Sequence, residues 1–248
     1  MNGLWSHGTL PVIGDLRRWR YLRLKILQMI GQLVLPSYRF KWPDMSWWNN
    51  QEFTDYLIAF DELGGFNADR RWNLYQLARW SSSVPGETAE CGVWKGAGSY
   101  AICWAFEATG ERRTHHAFDS FAGLSEPNES VDGQHWRKGD LPSDLSATAS
   151  NLSRYDQVVF HRGWIPERFH EVAGSRFAFV HIDLDLYQPT RDSLEFFYPR
   201  LSPGGLLLCD DYGFDVCPGP TAAMDEFFAD RPECIVWLSP GAAFVVKA

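Results

Sequence analysis

Four aspartates in two short clusters carry the strongest chemical signal in the sequence: Asp183 and Asp185 in FVHIDLDLY, and Asp210 and Asp211 in LLLCDDYG. Each cluster closes an apolar run that reads as a buried strand, where an unpaired charge is costly, so the clusters call for a cation. If the two strands end side by side, Asp183, Asp210 and Asp211 converge as an oxygen-only donor set. Such a set suits a hard divalent ion such as Mg²⁺, with positions left for water and substrate. Zinc is not supported, because the chain has no paired Cys or His at ligand spacing. Asp185 lies two residues beyond Asp183 and emerges on the same side of an extended chain, as a base beside the metal. His181, two residues earlier, reads as a core or supporting histidine, and His115 and His116 form a weaker strand pair.

A second constellation precedes these. Glu90-Cys91-Gly92-Val93-Trp94-Lys95-Gly96-Ala97-Gly98-Ser99 carries one strand into a helix through glycines, which permit a tight turn and close approach of a ligand. The helix N–H groups beyond it can receive a carboxylate or phosphate. The spacing is neither GxGxxG nor a GK[ST] phosphate loop, and a plain helix-packing turn is the alternative. Asp119 closes the next strand, 29 residues after Glu90. A carboxylate there suits a bidentate grip on vicinal ribose hydroxyls, with a turn-capping role as the alternative. Together, Gly92 and Asp119 propose a nucleoside cofactor.

The elements needed to position these groups follow from the periodicity. Asp15 to Leu35 has apolar residues at helical spacing with arginines between them, an amphipathic helix that packs on its own body, on a second copy or on an anionic surface. Trp42, Trp47 and Trp48 precede further helices over Gln51–Leu63 and Asn67–Trp80. After Val84-Pro85-Gly86, short apolar runs alternate with helix-length segments, the pattern of β-α-β units around a mainly parallel sheet. Strands are expected near Thr88–Cys91, Thr114–Phe118, Gln157–His161, Phe177–Asp183, Leu206–Asp210, Cys234–Trp237 and Phe244–Lys247. Helices are expected over Ser99–Thr109, Asp144–Ser153, Pro166–Val172, Pro189–Leu201 and Pro220–Asp230, and Ser120–Leu141 reads as a mobile lid.

Composition bounds the function. The 248 residues are 45% hydrophobic with 12 Trp and 17 Phe, enough apolar material for a large core. A formal charge of -8 argues against a chain built to coat nucleic acid, although residues 1–45 hold seven basic against two acidic side chains. Five cysteines without a CxxC pair read as free thiols in a reducing compartment. No leader pattern and no uncharged window of about 18 residues is present, so a cytoplasmic protein without a transmembrane segment is expected.

At ECGVWKG, FDSFAGL, IDLDLYQPT and YPRLSPGGLLLCDDYG the chain resembles the macrocin O-methyltransferase (TylF-like) family, which methylates sugar hydroxyls with S-adenosylmethionine, over about residues 70–247. The resemblance implies an α/β, Rossmann-like class I methyltransferase fold: a mostly parallel seven-stranded sheet with its last strand antiparallel and helices on both faces. With the helical periodicity before it, this divides the chain into a helical N-terminal extension over residues 1–80, as substrate lid or oligomer contact, and a methyltransferase domain over 81–248. Carried over by position, Glu90, Gly92 and Ser99 would lie against the methionine portion of S-adenosylmethionine, Asp119 would bind its ribose, and Gly163 and Trp164 would border its adenine. Asp183, Asp210 and Asp211 would hold Mg²⁺. Related catechol-type enzymes place a lysine three residues after the first metal aspartate, whereas this chain has Leu186, so Asp185 is expected as the base. The expected activity is Mg²⁺-dependent methylation of a sugar hydroxyl on a glycosylated natural product or saccharide, with a homodimer raised by the apolar helix face. The alternatives are a phenolic or catechol acceptor, and a catalytically inactive binding protein on the same fold.

Overall fold

Apolar side chains recur at helical spacing from Trp19 onward, and helix α1 forms over Ile13–Val34. The computed structural model describes residues 13–36, 38–41 and 45–248, with side chains from residue 19; Trp42 and the side chains of Leu16, Arg17 and Arg18 lie outside it. The described residues up to 54 form one compact unit and residues 55–248 another. In the first, Leu22, Ile26, Ile30 and Leu33 of α1 are exposed, and the Tyr38 and Phe40 rings meet edge to face at 4.9 Å. Asn50 caps α2 (Gln51–Ala59) by accepting the Phe53 N–H at 2.9 Å.

The second unit contains the remainder of α2, then α3 (Ala68–Trp80), β1 (Glu87–Cys91), α4 (Ala97–Glu107), β2 (His115–Asp119), α5 (Glu129–Asp132), α6 (Leu145–Asn151) and β3 (Val158–Arg162). There follow β4 (Phe177–Ile182), α7 (Tyr187–Phe197), β5 (Leu201–Cys209), α8 (Pro218–Phe228), β6 (Val236–Trp237) and β7 (Ala243–Val246). The strands lie in the order β3-β2-β1-β4-β5-β7-β6. Pairing is parallel from β3 through β5, and β7 runs antiparallel to both β5 and β6. The order reverses between β1 and β4, which opens a crevice at their carboxyl ends.

Strand alternation sorts the two faces of the sheet. Val180, Ile182, Leu207 and Cys209 share one buried cluster with Leu194 and Phe197 of α7 and Met224 and Phe227 of α8. The intervening positions, Glu90 and His181 among them, face the side covered by α3 and α4. All six residues of β4 are buried, as expected of a strand with neighbours on both edges and helices on both faces.

Two local expectations are corrected. Pro166–Val172 holds only a 3-10 turn at Phe169–Val172, whose two buried residues are spaced by three and fit the tighter period. Strand β5 begins at Leu201, within the expected helix, with a register shift opposite Phe177–Phe179 that absorbs Pro203 and Gly204. Within 120–141, Leu124 N–H donates to Asp140 O at 2.8 Å, and the buried Asp132 accepts the N–H groups of Asn128 at 2.8 Å and Tyr187 at 2.6 Å. That segment is fastened to the start of α7.

Candidate active site

The crevice between β1 and β4 is a cavity of about 320 Å³. Its floor is the acidic ends of β4 and β5, one wall is the glycine turn after β1, and the opposite rim carries Trp136, Leu141, Trp164 and Ile165. Gly92, at φ 87°, lets the turn cross the end of β4: a Cβ there would stand 1.8 Å from the Asp183 carbonyl oxygen. Sequence identity thus sets how closely the two strand ends approach.

Beyond Ile182 the chain turns sharply. Leu186 N–H donates to Leu184 O at 2.7 Å, and Asp185 takes φ 60°, an uncommon conformation for a residue with a side chain. Asp211 holds this turn, its Oδ2 accepting the N–H groups of Leu184 at 3.1 Å and Asp185 at 2.9 Å. Asp183, Asp185, Asp210 and Asp211 all line the cavity, the last two buried.

Two arginines of α3, absent from the sequence reading, meet this floor. Arg70 makes a close contact with Asp210 Oδ2, lies 3.2 Å from Asp211 Oδ1 and donates to the Asp210 carbonyl at 3.0 Å. Arg71 lies 3.6 Å from Asp183 and 3.9 Å from Asp210 while pairing with the buried Glu62 at 3.0 Å. Their only sequence signal was a pair of cations in a helix that must be buried on one side.

Four carboxyl groups crowd two guanidinium groups on the floor, so they compete for positive charge. Burial, reinforced by Asp210 and Asp211, pushes the Asp183 carboxyl up to about 8. Burial with Asp211 and Asp183 likewise raises Asp185. Burial also works against ionised Asp210, but Arg70 and His181 outweigh it and hold that carboxyl below its usual range. Ligand atoms of His181, Asp183 and Asp210 lie within 4.8 Å of one another, as do those of Asp185, Asp211 and Cys217, so the carboxylates of the floor could hold a divalent cation if Arg70 yields its place on Asp210 and Asp211.

Behind the glycine turn runs a buried hydrogen-bonded chain. Thr88 Oγ1 lies 2.9 Å from His115 Nδ1, and His115 Nε2 lies 2.9 Å from Ser99 Oγ. The Ser99 hydroxyl donates to Glu90 Oε2, and Glu90 Oε1 lies 2.9 Å from His181 Nδ1. His181 Nε2 faces Asp210 Oδ1 at 3.5 Å. Burial lowers His115 to about 3, so it is neutral and each ring nitrogen has one hydroxyl partner. Burial also disfavours the charged form of His181, but Asp210 and Glu90 outweigh that and raise it to about 10.

The residues expected to form the site are therefore mostly together. Glu90, Gly92, Asp119, Gly163, Trp164, Asp183, Asp185, Asp210 and Asp211 line one cavity. Ser99 stands behind Glu90, fully buried. The Asp119 carboxylate accepts the N–H groups of Val93 and Trp94, each at 2.8 Å, and Phe121 at 2.6 Å, so it ties the glycine turn to the end of β2. His116 joins a separate chain, 2.9 Å from His161 and 3.1 Å from Glu87. All five cysteines are free, with Cys234 the exposed one.

The strand order, the antiparallel β7 and the acidic crevice at the switch point define a class I methyltransferase fold. The solved structure of the O-methyltransferase NovP superposes with a TM-score of 0.63 at 27% identity, covering 75% of this chain and 84% of that one. The calicheamicin methyltransferase CalS11 shares the fold with a TM-score of 0.64 at 20% identity, over 86% of this chain and 96% of that one. The chain belongs to the macrocin O-methyltransferase (TylF) family, whose model matches residues 73–232. Among its relatives, a tetracenomycin-C 4'-O-methyltransferase that acts on the 8-demethyl-8-(2,3-dimethoxy-alpha-L-rhamnosyl) compound, from Streptomyces olivaceus, is 38% identical over 149 residues, 55% of this chain and 57% of that protein. The mycinamicin III 3''-O-methyltransferase of Micromonospora griseorubida is 35% identical over 147 residues, 54% of this chain and 58% of that protein. The chain thus matches less than two thirds of the length of either relative. Among the described residues, no helix is long and apolar enough to cross a membrane.

Proposed function

We propose that this protein transfers the methyl group of S-adenosylmethionine to a sugar hydroxyl of a glycosylated natural product, with Mg²⁺ held by Asp183, Asp210 and Asp211. The observation that carries the reading is the acidic floor: four aspartates from two adjacent strand ends share one cavity with the glycine turn. The names of the similar proteins, which act on a rhamnosyl tetracenomycin-C and on mycinamicin III, support a sugar acceptor. Residues 1–80 are read as the extension on the acceptor or oligomer side, and 81–248 as the methyltransferase domain.

When bound, the sulfonium cofactor supplies an electrophilic methyl group and the cation lowers the pKa of an acceptor hydroxyl. The chain's own residues do the remainder. Asp119 and the glycine turn would hold the cofactor, and Gly163 and Trp164 would border its adenine. Asp185, on the strained turn held by Asp211, takes the proton from the acceptor hydroxyl. The apolar rim of Trp136, Leu141 and Ile165 offers flat surfaces to a sugar face and excludes water.

Calorimetric titration of chelator-stripped protein with S-adenosylhomocysteine and then Mg²⁺ tests this reading. Binding of both at one equivalent is expected, with Asp183→Asn removing the second event and sparing the first. Cofactor binding without the cation would overturn the aspartate assignment, and binding of neither would overturn the enzyme reading.

A further inference from the structure

His181 joins the two ends of the cleft. Its ring is fully buried near the carboxyl end of β4, with Nδ1 2.9 Å from Glu90 Oε1 and Nε2 3.5 Å from Asp210 Oδ1. Both carboxylates are nearly inaccessible, at 1% and 2% exposure, so neither can exchange this neighbour for bulk water. Glu90 is clamped on its other oxygen by the Ser99 hydroxyl. It also packs where Gly98 has no side chain, since a Cβ there would stand 1.8 Å from Oε1. Asp210 is engaged on its other oxygen by Arg70. Asp183, Asp185, Asp211 and Arg71 are further charged groups beside Asp210.

We propose that His181 is a positioning residue that couples the cofactor side of the cleft to its cation side, its ring being held off Asp210 by its hydrogen bond to Glu90. The inference rests on the cation reading above. Nε2 has no hydrogen-bond partner while Nδ1 is engaged by Glu90, so Glu90 keeps the ring from closing on Asp210. Removing the charge of Glu90 weakens its hold on the ring, since an amide oxygen accepts a weaker bond than a carboxylate, and lets Nε2 close on Asp210 Oδ1 and compete with a cation for that oxygen. Glu90 then affects a cation that it does not itself touch, as an outer partner does at a metal centre.

The test is a double-mutant cycle read by Mn²⁺ binding in electron paramagnetic resonance titrations, without turnover. Glu90→Gln is expected to weaken Mn²⁺ binding about tenfold in the wild-type background and to add nothing in His181→Asn. Cooperative unfolding of each variant establishes that it is folded; if His181→Asn does not fold, the cycle uses His181→Gln, whose amide cannot span both carboxylates. Equal Mn²⁺ affinity in wild type and Glu90→Gln would overturn the coupling. An effect of Glu90→Gln undiminished in the His181 variant would also overturn it, assigning the effect to direct charge. Wild-type protein that takes up no Mn²⁺ would overturn the cation reading and the coupling with it.

Discussion

The carboxylate of Asp211 accepts the backbone N–H of Asp185 at 2.9 Å, so a residue at the end of β5 sets the turn that leaves β4. The group expected to take the proton is thereby built onto one of the groups expected to hold the cation. Its left-handed backbone is part of the same device, because φ 60° swings Asp185 out of the path of the strand.

For Asp185→Asn, turnover is expected to fall by about 10² or more, because asparagine tolerates the left-handed turn but cannot accept the proton. The thermal midpoint and cofactor affinity should stay close to wild type. Near-normal rates across pH would place the base elsewhere.

Arg70 neutralises Asp210 and Asp211 at the floor. Arg70→Met should therefore destabilise the cation-free protein by about 3 kcal/mol, the usual scale for leaving a buried charge unpaired. Saturating Mg²⁺ should restore most of the loss in denaturant unfolding. A loss unchanged by Mg²⁺ would show that the arginine and the cation do not share these carboxylates.

His115 gives the fold an acid limit. The unfolded side chain takes up a proton near 6.5, whereas burial lowers the folded one to about 3. Its contribution is complete above pH 6.5 and is lost as pH falls from there toward 3. Between pH 7 and pH 5, His115→Gln should lose about 2 kcal/mol less unfolding free energy than wild type. Equal losses in urea titrations would show that His115 takes up its proton in the folded state.

Asp119 accepts three backbone N–H groups from two segments of the cavity wall. Asp119→Ala is expected to cost about 2 kcal/mol of stability through unsatisfied donors and to weaken S-adenosylhomocysteine binding at least about tenfold. Calorimetry that finds unchanged affinity would leave Asp119 as a turn cap alone.

The parts of this site that were legible in the sequence are those in which chain order and spatial order coincide. Asp183 and Asp210 each terminate a short apolar run, and adjacent parallel strands bring such ends together. The glycine turn was legible for the same reason. Arg70 and Arg71 were not, because they reach the floor from a helix more than one hundred residues upstream, and nothing local marks where a helix face docks. The histidines show the same limit: His115 and His181 stand on strands separated by β1, and only the sheet order reveals that Glu90 and Ser99 connect them. The early start of β5 escaped because Pro203 and Gly204 signal a turn wherever a bulge has not yet been seen.

Strand β4, paired on both edges and buried throughout, has backbone amides that exchange with solvent only when the whole sheet opens. The floor of the cleft is therefore carried by a strand buried throughout, while the rim at Trp136 and Leu141 belongs to a connection outside the sheet. Mutational drift can recut that rim and change which acceptor enters, with the chemistry below inherited intact.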